Sequence, residues 1–315
     1  MIRAALRGVL LTAAFAVASA ACVAPAGAQT LETVHVAAIP VDVTGNLYYA
    51  LDLGLFKRAG LDVQITTLSS TAATTQAVAT GAVDFGTTNL VSIALAHERG
   101  IPIAVVAPAG ASSSAAPLEG ILVATASPIK SAKDLNGKTV ITSVLRNGLT
   151  IETAAWMEKN GGDYQSLKWI EAPNPTSAAM VSSGRVDAST LAEPFLSAAL
   201  AGGDVRLLTP LGAEIAPVTV IGGYITSRDY AGLHPDVVKK FRAALMEAGR
   251  WANGHRAAAA TILQSYSKQP PAAAAHHAVF VESFSAADLQ PIIDAAARYG
   301  VLKASFPAAD LVIAG

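Results

Sequence analysis

The residues able to do chemistry in this chain gather in short polar loops, and four of those loops share one build. Thr44, Gly45 and Asn46 form the first, Ser69, Ser70 and Thr71 the second, Thr87, Thr88 and Asn89 the third, and Arg146, Asn147, Gly148 and Thr150 the fourth. Each stands directly ahead of a helical pattern. The first turn of a helix carries unpaired N–H groups and the positive end of its dipole, so loops of this kind accept anionic or polar head groups when they face a shared crevice. Taken singly, each is an ordinary capping sequence, because Ser, Thr and Asn cap helices generally. Their recurrence is what points to a ligand.

Arg146 is the strong cation of these loops, and its planar guanidinium can hold a carboxylate or sulfonate through two parallel hydrogen bonds. The structural alternative is a surface arginine paired with Glu152. Glu193, ahead of Pro194, either accepts a hydrogen bond from a ligand amine or hydroxyl or compensates the dipole of the helix it opens. Tyr48, Tyr49, Trp156 and Tyr224 can stack on a flat solute; since aromatic residues on helices generally belong to the core, Tyr224 and then Tyr48 are the candidate contacts. His276 and His277 are adjacent, cannot face one way on a helix, and have no ligand at helical spacing to complete a metal site. The motifs GxSxG, GxxxxGK[ST] and GxGxxG are absent, which removes the main support for hydrolase, nucleotide and dinucleotide chemistry. No catalytic residue, metal or cofactor is expected.

Composition narrows the class further. The chain has 315 residues, 52% hydrophobic and 14% charged, with a formal net charge of -1. That describes a well-filled globular protein long enough for two lobes, with neither the basic stripe nor the interleaved aromatics of a nucleic-acid binder. At the N-terminus Arg3 and Arg7 precede an apolar run from Val9 to Val17, and Ala26, Gly27 and Ala28 supply small residues for cleavage, so residues 1–28 read as a signal peptide and Gln29 as the mature start. The run is shorter than the ~20 residues a spanning helix needs. The expected mature protein is soluble, exported to the periplasm and monomeric. Cys22, the single cysteine, lies in this segment; a lipid anchor there is not expected, because Ser19 stands where such signals carry Leu or Val.

The positioning elements alternate along the chain. A short apolar run from Val34 to Ile39 reads as a strand, Asn46 as the cap of a helix carrying Leu47, Leu51 and Leu55, and Leu61, Val63 and Ile65 as a strand entered through Gly60. Helices over 72–80 and 90–98 enclose a short strand over 83–85 and a loop over 86–89, and a strand over 101–106 follows. The small, proline-containing stretch 108–120 marks a lobe boundary. A second series repeats the first: strands over 121–125, 138–142, 167–170 and 186–189, helices over 131–135, 151–159 and 178–183, and a helix opened by Glu193 and Pro194. Val218 to Ile225 reads as one long strand returning to the first lobe. Beyond Pro235 the pattern is helical over 237–250, 257–266 and 286–299, the last opened by Ser285 and Asp288 as a capping box.

Four stretches, YYALDLGLFKRAGLDVQI, AVATGAVDFGTTN, SPIKSAKDLNGKTV and MVSSGRVDASTLAEP, stand in the order found in a known family. Together they resemble the extracytoplasmic solute-binding proteins of ABC importers in the nitrate, sulfonate, taurine and thiamine-precursor group. The resemblance spans most of residues 34–200 and fades in the C-terminal helices. It implies an α/β protein of the two-lobed periplasmic binding fold (type II), each lobe a mixed sheet flanked by helices, with the ligand cleft between lobes. One lobe would comprise residues 29–120 and 222–315, the other 121–221, with crossovers near 120–123 and 221–224. It also implies capture of a small solute by hinge closure and delivery to a permease in the inner membrane. Arg146 tilts the solute toward an organic anion, a sulfonate or carboxylate. Pyrimidine-synthesis proteins of thiamine assembly share the architecture, but that group carries a cysteine-rich motif and the mature chain has no cysteine. Binding of a pyrimidine precursor, or service as the sensing subunit of a membrane receptor, would use the same cleft.

Overall fold

The first fifty residues beyond Thr30 set the pattern for half of the molecule: a buried strand, a polar turn, a helix broken by glycine, and a second strand. The computed structural model describes residues 30–68, 70–267 and 278–313. The export segment with Cys22, Ser69, and the His276–His277 pair lie outside the described residues. Strand β1 (Glu32–Ala37) leads through a 3-10 turn at Asp42–Thr44 into α1 (Gly45–Asp52). Gly54, at φ 67°, adopts the left-handed conformation that separates α1 from α2 (Leu55–Arg58), and β2 (Leu61–Thr66) follows. Next come α3 (Thr71–Ala79), β3 (Phe85–Asn89), α4 (Leu90–Glu98) and β4 (Ile103–Pro108).

A three-residue strand, β5 (Ala111–Ser113), precedes β6 (Glu119–Ala124), which opens a second sheet. That sheet continues with β7 (Thr139–Thr142), α5 (Gly148–Lys159), β8 (Lys168–Glu171), α6 (Asn174–Ser182), β9 (Ala188–Ala192), α7 (Phe195–Ala201) and β10 (Val205–Leu211). The chain returns through β11 (Val218–Val220) to β12 (Gly222–Ser227). Helices α8 (Arg228–Leu233), α9 (Pro235–Gly254), α10 (Arg256–Ser267) and α11 (Gln290–Arg298) complete it.

Two five-stranded sheets result, in the orders β2-β1-β3-β12-β4 and β10-β6-β9-β7-β8. In each, the strands that follow helical crossovers run parallel, as β1 does with β2 and β3 and β7 with β8 and β9. The strands that enter or leave across the sheets run antiparallel: β12 between β3 and β4, and β6 between β9 and β10. Between the sheets, β5 and β11 pair with each other in a separate antiparallel ribbon.

The first sheet is held by the apolar face of α9. Phe241 from α9 stacks on Phe85 of β3 with ring centroids 4.1 Å apart and on Phe56 of α2 at 5.3 Å, so one ring joins strand, helix and helix. Leu47 and Leu55 are buried in this core and Leu51 packs against it, as their helical spacing predicts. The second sheet has its own apolar layers on its two faces, one around Trp156 and Met157 of α5, the other around Val181 and Leu196.

Several boundaries differ from the sequence reading. Asn46 does not cap α1: Thr44 occupies that position and Asn46 lies inside the first turn. The stretch 86–89, read as a loop from its polar composition, continues β3, because β12 pairs with it through Tyr224↔Thr87, Gly223↔Thr88 and Gly222↔Asn89. Helix α5 begins at Gly148, so Gly148 and Thr150 belong to its first turn. Helix α7 starts at Phe195, with Pro194 at the cap position. The apolar run 218–225 divides at Ile221 into β11 and β12, which serve different sheets. Strand β10 was invisible to periodicity: Thr209 and Pro210 interrupt its alternation, and it tolerates them because it is an edge strand with a register shift between Leu207 and Thr209.

Candidate functional site

The loops at the carboxyl ends of the parallel strands carry the candidate residues, and most of their polar groups are engaged locally. The Thr44 hydroxyl donates to the carbonyls of Ile39 at 2.5 Å and Val41 at 2.9 Å, fixing the turn before α1. At Gly45, a Cβ would lie 2.4 Å from the Tyr49 hydroxyl oxygen, so the helix begins on a residue with no side chain. Asn46 is buried: its Oδ1 accepts from the Tyr224 hydroxyl at 2.6 Å and its Nδ2 donates to the Pro108 carbonyl at 3.4 Å. Tyr224 is fully buried on β12 and also donates to the Thr44 carbonyl at 3.2 Å. Burial holds its phenol well above the usual range. The pair thus ties the β1–α1 loop to the sheet beneath it. Tyr48 is buried and packs against Tyr266 with the rings tilted at 42° and their centroids 4.9 Å apart, within the first core.

Ser70, Asn89 and Asn147 are caps. Their side-chain oxygens accept from the N–H groups of Ala73 at 3.2 Å, Ser92 at 2.8 Å and Thr150 at 3.0 Å. The Thr150 hydroxyl in turn accepts from the Asn147 N–H at 3.1 Å, completing a reciprocal box. Glu193 accepts from the Ser197 hydroxyl at 2.8 Å and the Ser197 N–H at 3.2 Å, which satisfies the start of α7. Arg146, exposed and at φ 60°, is not paired with Glu152. Its Nη2 donates to the Gly300 carbonyl at 3.4 Å and to the Val301 carbonyl, reaching from the β7–α5 loop to the turn after α11. A second link joins the same helices: Glu158 of α5 accepts from Arg298 at 2.7 Å and from the Tyr299 hydroxyl at 2.7 Å.

Three cavities are bordered by candidate residues. The outermost, about 430 Å³, is bordered by Arg146, Thr150 and Trp169 on one side and by Gly300 and Val301 on the other; a larger one of about 530 Å³ between α5 and α11 holds none of them. A second, about 130 Å³, is bounded by Thr44, Thr71, Thr87, Thr88 and Asn89 of the first sheet's loops together with Ile221. The third, about 110 Å³, shares Asn89 and Ile221 with the second and brings them against Asn147, Glu119 and Glu152. The two inner cavities therefore meet at Asn89, and residues from all four sequence-predicted loops border one or the other.

Glu119 and Glu152 were not candidates in the sequence. Glu119 opens β6 and Glu152 lies in the second turn of α5; they are 7% and 2% exposed. Both border the same cavity, and their carboxyls are close enough for each to shift the other's titration. Burial pushes Glu119 up to about 7, while burial and the facing Glu119 charge push Glu152 well above the carboxylate range. The pair therefore retains a proton in a range where free carboxyls are ionised. The signal available in the sequence was a glutamate at the head of an otherwise apolar strand, EGILVA, and another inside an apolar helix; each is a charge where a core residue is expected.

The two sheets and their connections define a two-lobed α/β fold of the periplasmic-binding-protein type. The chain belongs to the NMT1/THI5 like family, whose pattern matches residues 42–259. It is 30% identical over 163 residues to a formylaminopyrimidine-binding protein of Halalkalibacterium halodurans, and spans about half of that relative's length, 47% of it against 51% of this chain. Among solved structures it resembles the periplasmic aliphatic sulphonate binding protein SsuA of Escherichia coli, with a TM-score of 0.74 at 19% identity over 90% of this chain and 92% of that one. It also resembles the nitrate-binding protein NrtA of Synechocystis PCC 6803, with a TM-score of 0.69 at 15% identity over 89% and 84%. These neighbours are binding proteins, and at such identities they establish the shared fold. Among the described residues no helix is long and apolar enough to cross a membrane.

Proposed function

We propose that this chain is the solute-binding component of an ABC importer, exported to the periplasm after cleavage near Ala28, where as a monomer it captures a small solute between two lobes and delivers it to a membrane permease. The moving bodies are the two sheets with their helices. The expected crossovers near 120–123 and 221–224 shift to 109–118 and 212–221, because β6 belongs whole to the second sheet and β12 to the first, and the β5–β11 ribbon in those stretches is the hinge. The observation that carries this reading is the pair of inner cavities, walled by strand-end loops of both sheets at the point where the chain crosses from one to the other. A solute bound there touches both bodies, which is the requirement for a ligand to favour the closed arrangement.

For an organic anion, sulfonate or carboxylate, the support is Arg146 and the outer cavity it borders. Against that class stand the engagement of the guanidinium with two carbonyls and the acidic lining of the innermost cavity. The test is a thermal-shift screen of small anions, cations and neutral solutes, followed by solution scattering with the best binder. A binder raises apparent stability by about 2.7 kcal/mol at a hundred times its dissociation constant and compacts the particle. A bound solute that leaves the scattering profile unchanged would remove hinge closure.

A further inference from the structure

The two buried glutamates are an arrangement that a merely structural core would avoid. Two carboxyls taken out of water together carry a large desolvation cost and repel when ionised. The usual remedy is a buried cation. Among the described residues, the walls of the two inner cavities contain no Lys, Arg or His. Asn89 and Asn147 face the pair but are occupied as caps, and Leu90 and Ile292 contribute hydrocarbon. The other charge near Glu152 is Glu214, a further acid, whose carboxylate is paired with Lys159 at 3.7 Å.

Two polar atoms are left over on residues that border the two adjoining cavities. Oε2 of Glu152, a residue on the wall of the innermost cavity, is buried and receives no hydrogen bond from the described residues. The Thr88 hydroxyl, 5% exposed and bordering the adjoining cavity, has no partner among them either. Buried polar groups are ordinarily satisfied, so atoms left over on the walls of a cavity mark where a ligand supplies the missing partner. Here the missing partners are a donor for Glu152 and a partner for Thr88.

Resting on the solute-binding reading above, we infer that Glu119 and Glu152 form the recognition floor of the solute site, and that the solute presents to them a cationic nitrogen group with paired N–H donors, of the amidinium kind. Such a group matches a carboxylate geometrically, two parallel N–H donors to two oxygens. It also supplies the positive charge that the walls lack. Before binding, the pair retains a proton; as the cation enters, that carboxyl O–H bond breaks, its electron pair stays on the carboxylate and the proton leaves to solvent. The charge balance of the cavity is then one cation for one released proton. An anionic solute would face the opposite situation, a third negative group beside two acids.

The experiment uses three isosteric probes on the full mature chain: benzamidine, benzamide and benzoate, followed by calorimetry in buffers of different ionisation enthalpy, with E119Q and E152Q alongside the natural protein. Expected are binding of benzamidine in preference to benzoate, proton release on binding, tighter binding as pH rises from 5 to 8, and about tenfold or greater loss in each variant, as for a lost hydrogen bond to a charged group. The variants should be at least as stable as the parent without ligand, since glutamine removes the penalised charge, so a loss of binding is separable from a loss of fold. Failure of benzamidine to bind at millimolar concentration, or equal binding by E119Q and E152Q, overturns the inference. If benzoate or another anion binds and compacts the particle, the solute-binding reading stands and this inference alone falls.

Discussion

The hydroxyl of Tyr224 donates to Oδ1 of Asn46 across 2.6 Å, and both residues are buried. One is in the strand that returns the chain to the first sheet, the other in the first turn of its first helix. The bond couples the first turn of α1 to β12, the strand that follows the β5–β11 ribbon. Replacing Tyr224 with Phe leaves Asn46 Oδ1 buried without its donor, at a cost of about 1–3 kcal/mol. Urea unfolding should show that loss as a lower midpoint with an unchanged slope.

Gly212 is expected to resist substitution and Gly148 to accept it. At Gly212, φ is 121° and a Cβ would sit 1.9 Å from the Ser112 hydroxyl oxygen, in the ribbon strand β5. At Gly148 a Cβ would meet nothing within 4 Å, and φ is ordinary. Gly212→Ala should therefore cost about 2 kcal/mol or more, the range of strained backbone with overpacking, while Gly148→Ala stays within about 0.5 kcal/mol. Thermal melts of the two variants compare them directly.

Stability should fall as pH rises through neutrality. Glu119 is shifted up to about 7 and Glu152 is raised well above its ordinary range, so the folded protein binds more protons than the unfolded chain between the ordinary glutamate range and the raised one. The contribution is fully present below about pH 4.3, the unfolded value, and is lost as pH climbs through 7 and above. In the E119Q and E152Q double variant the slope between pH 5 and pH 8 should flatten. An identical slope in parent and double variant would show that the pair is not protonated in the folded state.

Much of the scaffold is legible in the sequence because two periodicities carry it. Leu47, Leu51 and Leu55 announce a helix face, and Leu61, Val63 and Ile65 a strand, and the structure places all of them in or against the first core. The candidate site was only partly legible. Thr87 and Thr88 look like loop residues until β12 pairs with them, and that pairing partner lies more than a hundred residues away. Asn46 has the composition of a cap, but its partner Tyr224 is equally remote. Glu119 and Glu152 stand 33 positions apart in different elements, and only the packing of α5 on the second sheet makes them neighbours.

Arg146 is expected to govern the resting arrangement of the molecule more than its affinity. Its guanidinium reaches the carbonyls of Gly300 and Val301 from the loop before α5. Arg146→Ala should change stability by less than about 1 kcal/mol, as for an exposed charged contact, and should enlarge the unliganded particle in solution scattering. An unchanged radius of gyration would mean that the contact does not hold the two sides together.

The ribbon of β5 and β11 has a further consequence for how the protein would report its state. Its strands are locked in register by Val218↔Ser113, Thr219↔Ser112 and Val220↔Ala111. A slip by one residue would turn Ala111 and Val220, both buried, to the opposite face. The register thereby opposes slip along the ribbon, so a rearrangement of the two halves would proceed by bending or twisting and would change the separation of distant surface points, one on each half. If the protein is the carrier proposed above, a docking partner that senses only that separation would tell an empty molecule from a loaded one without ever touching the cargo.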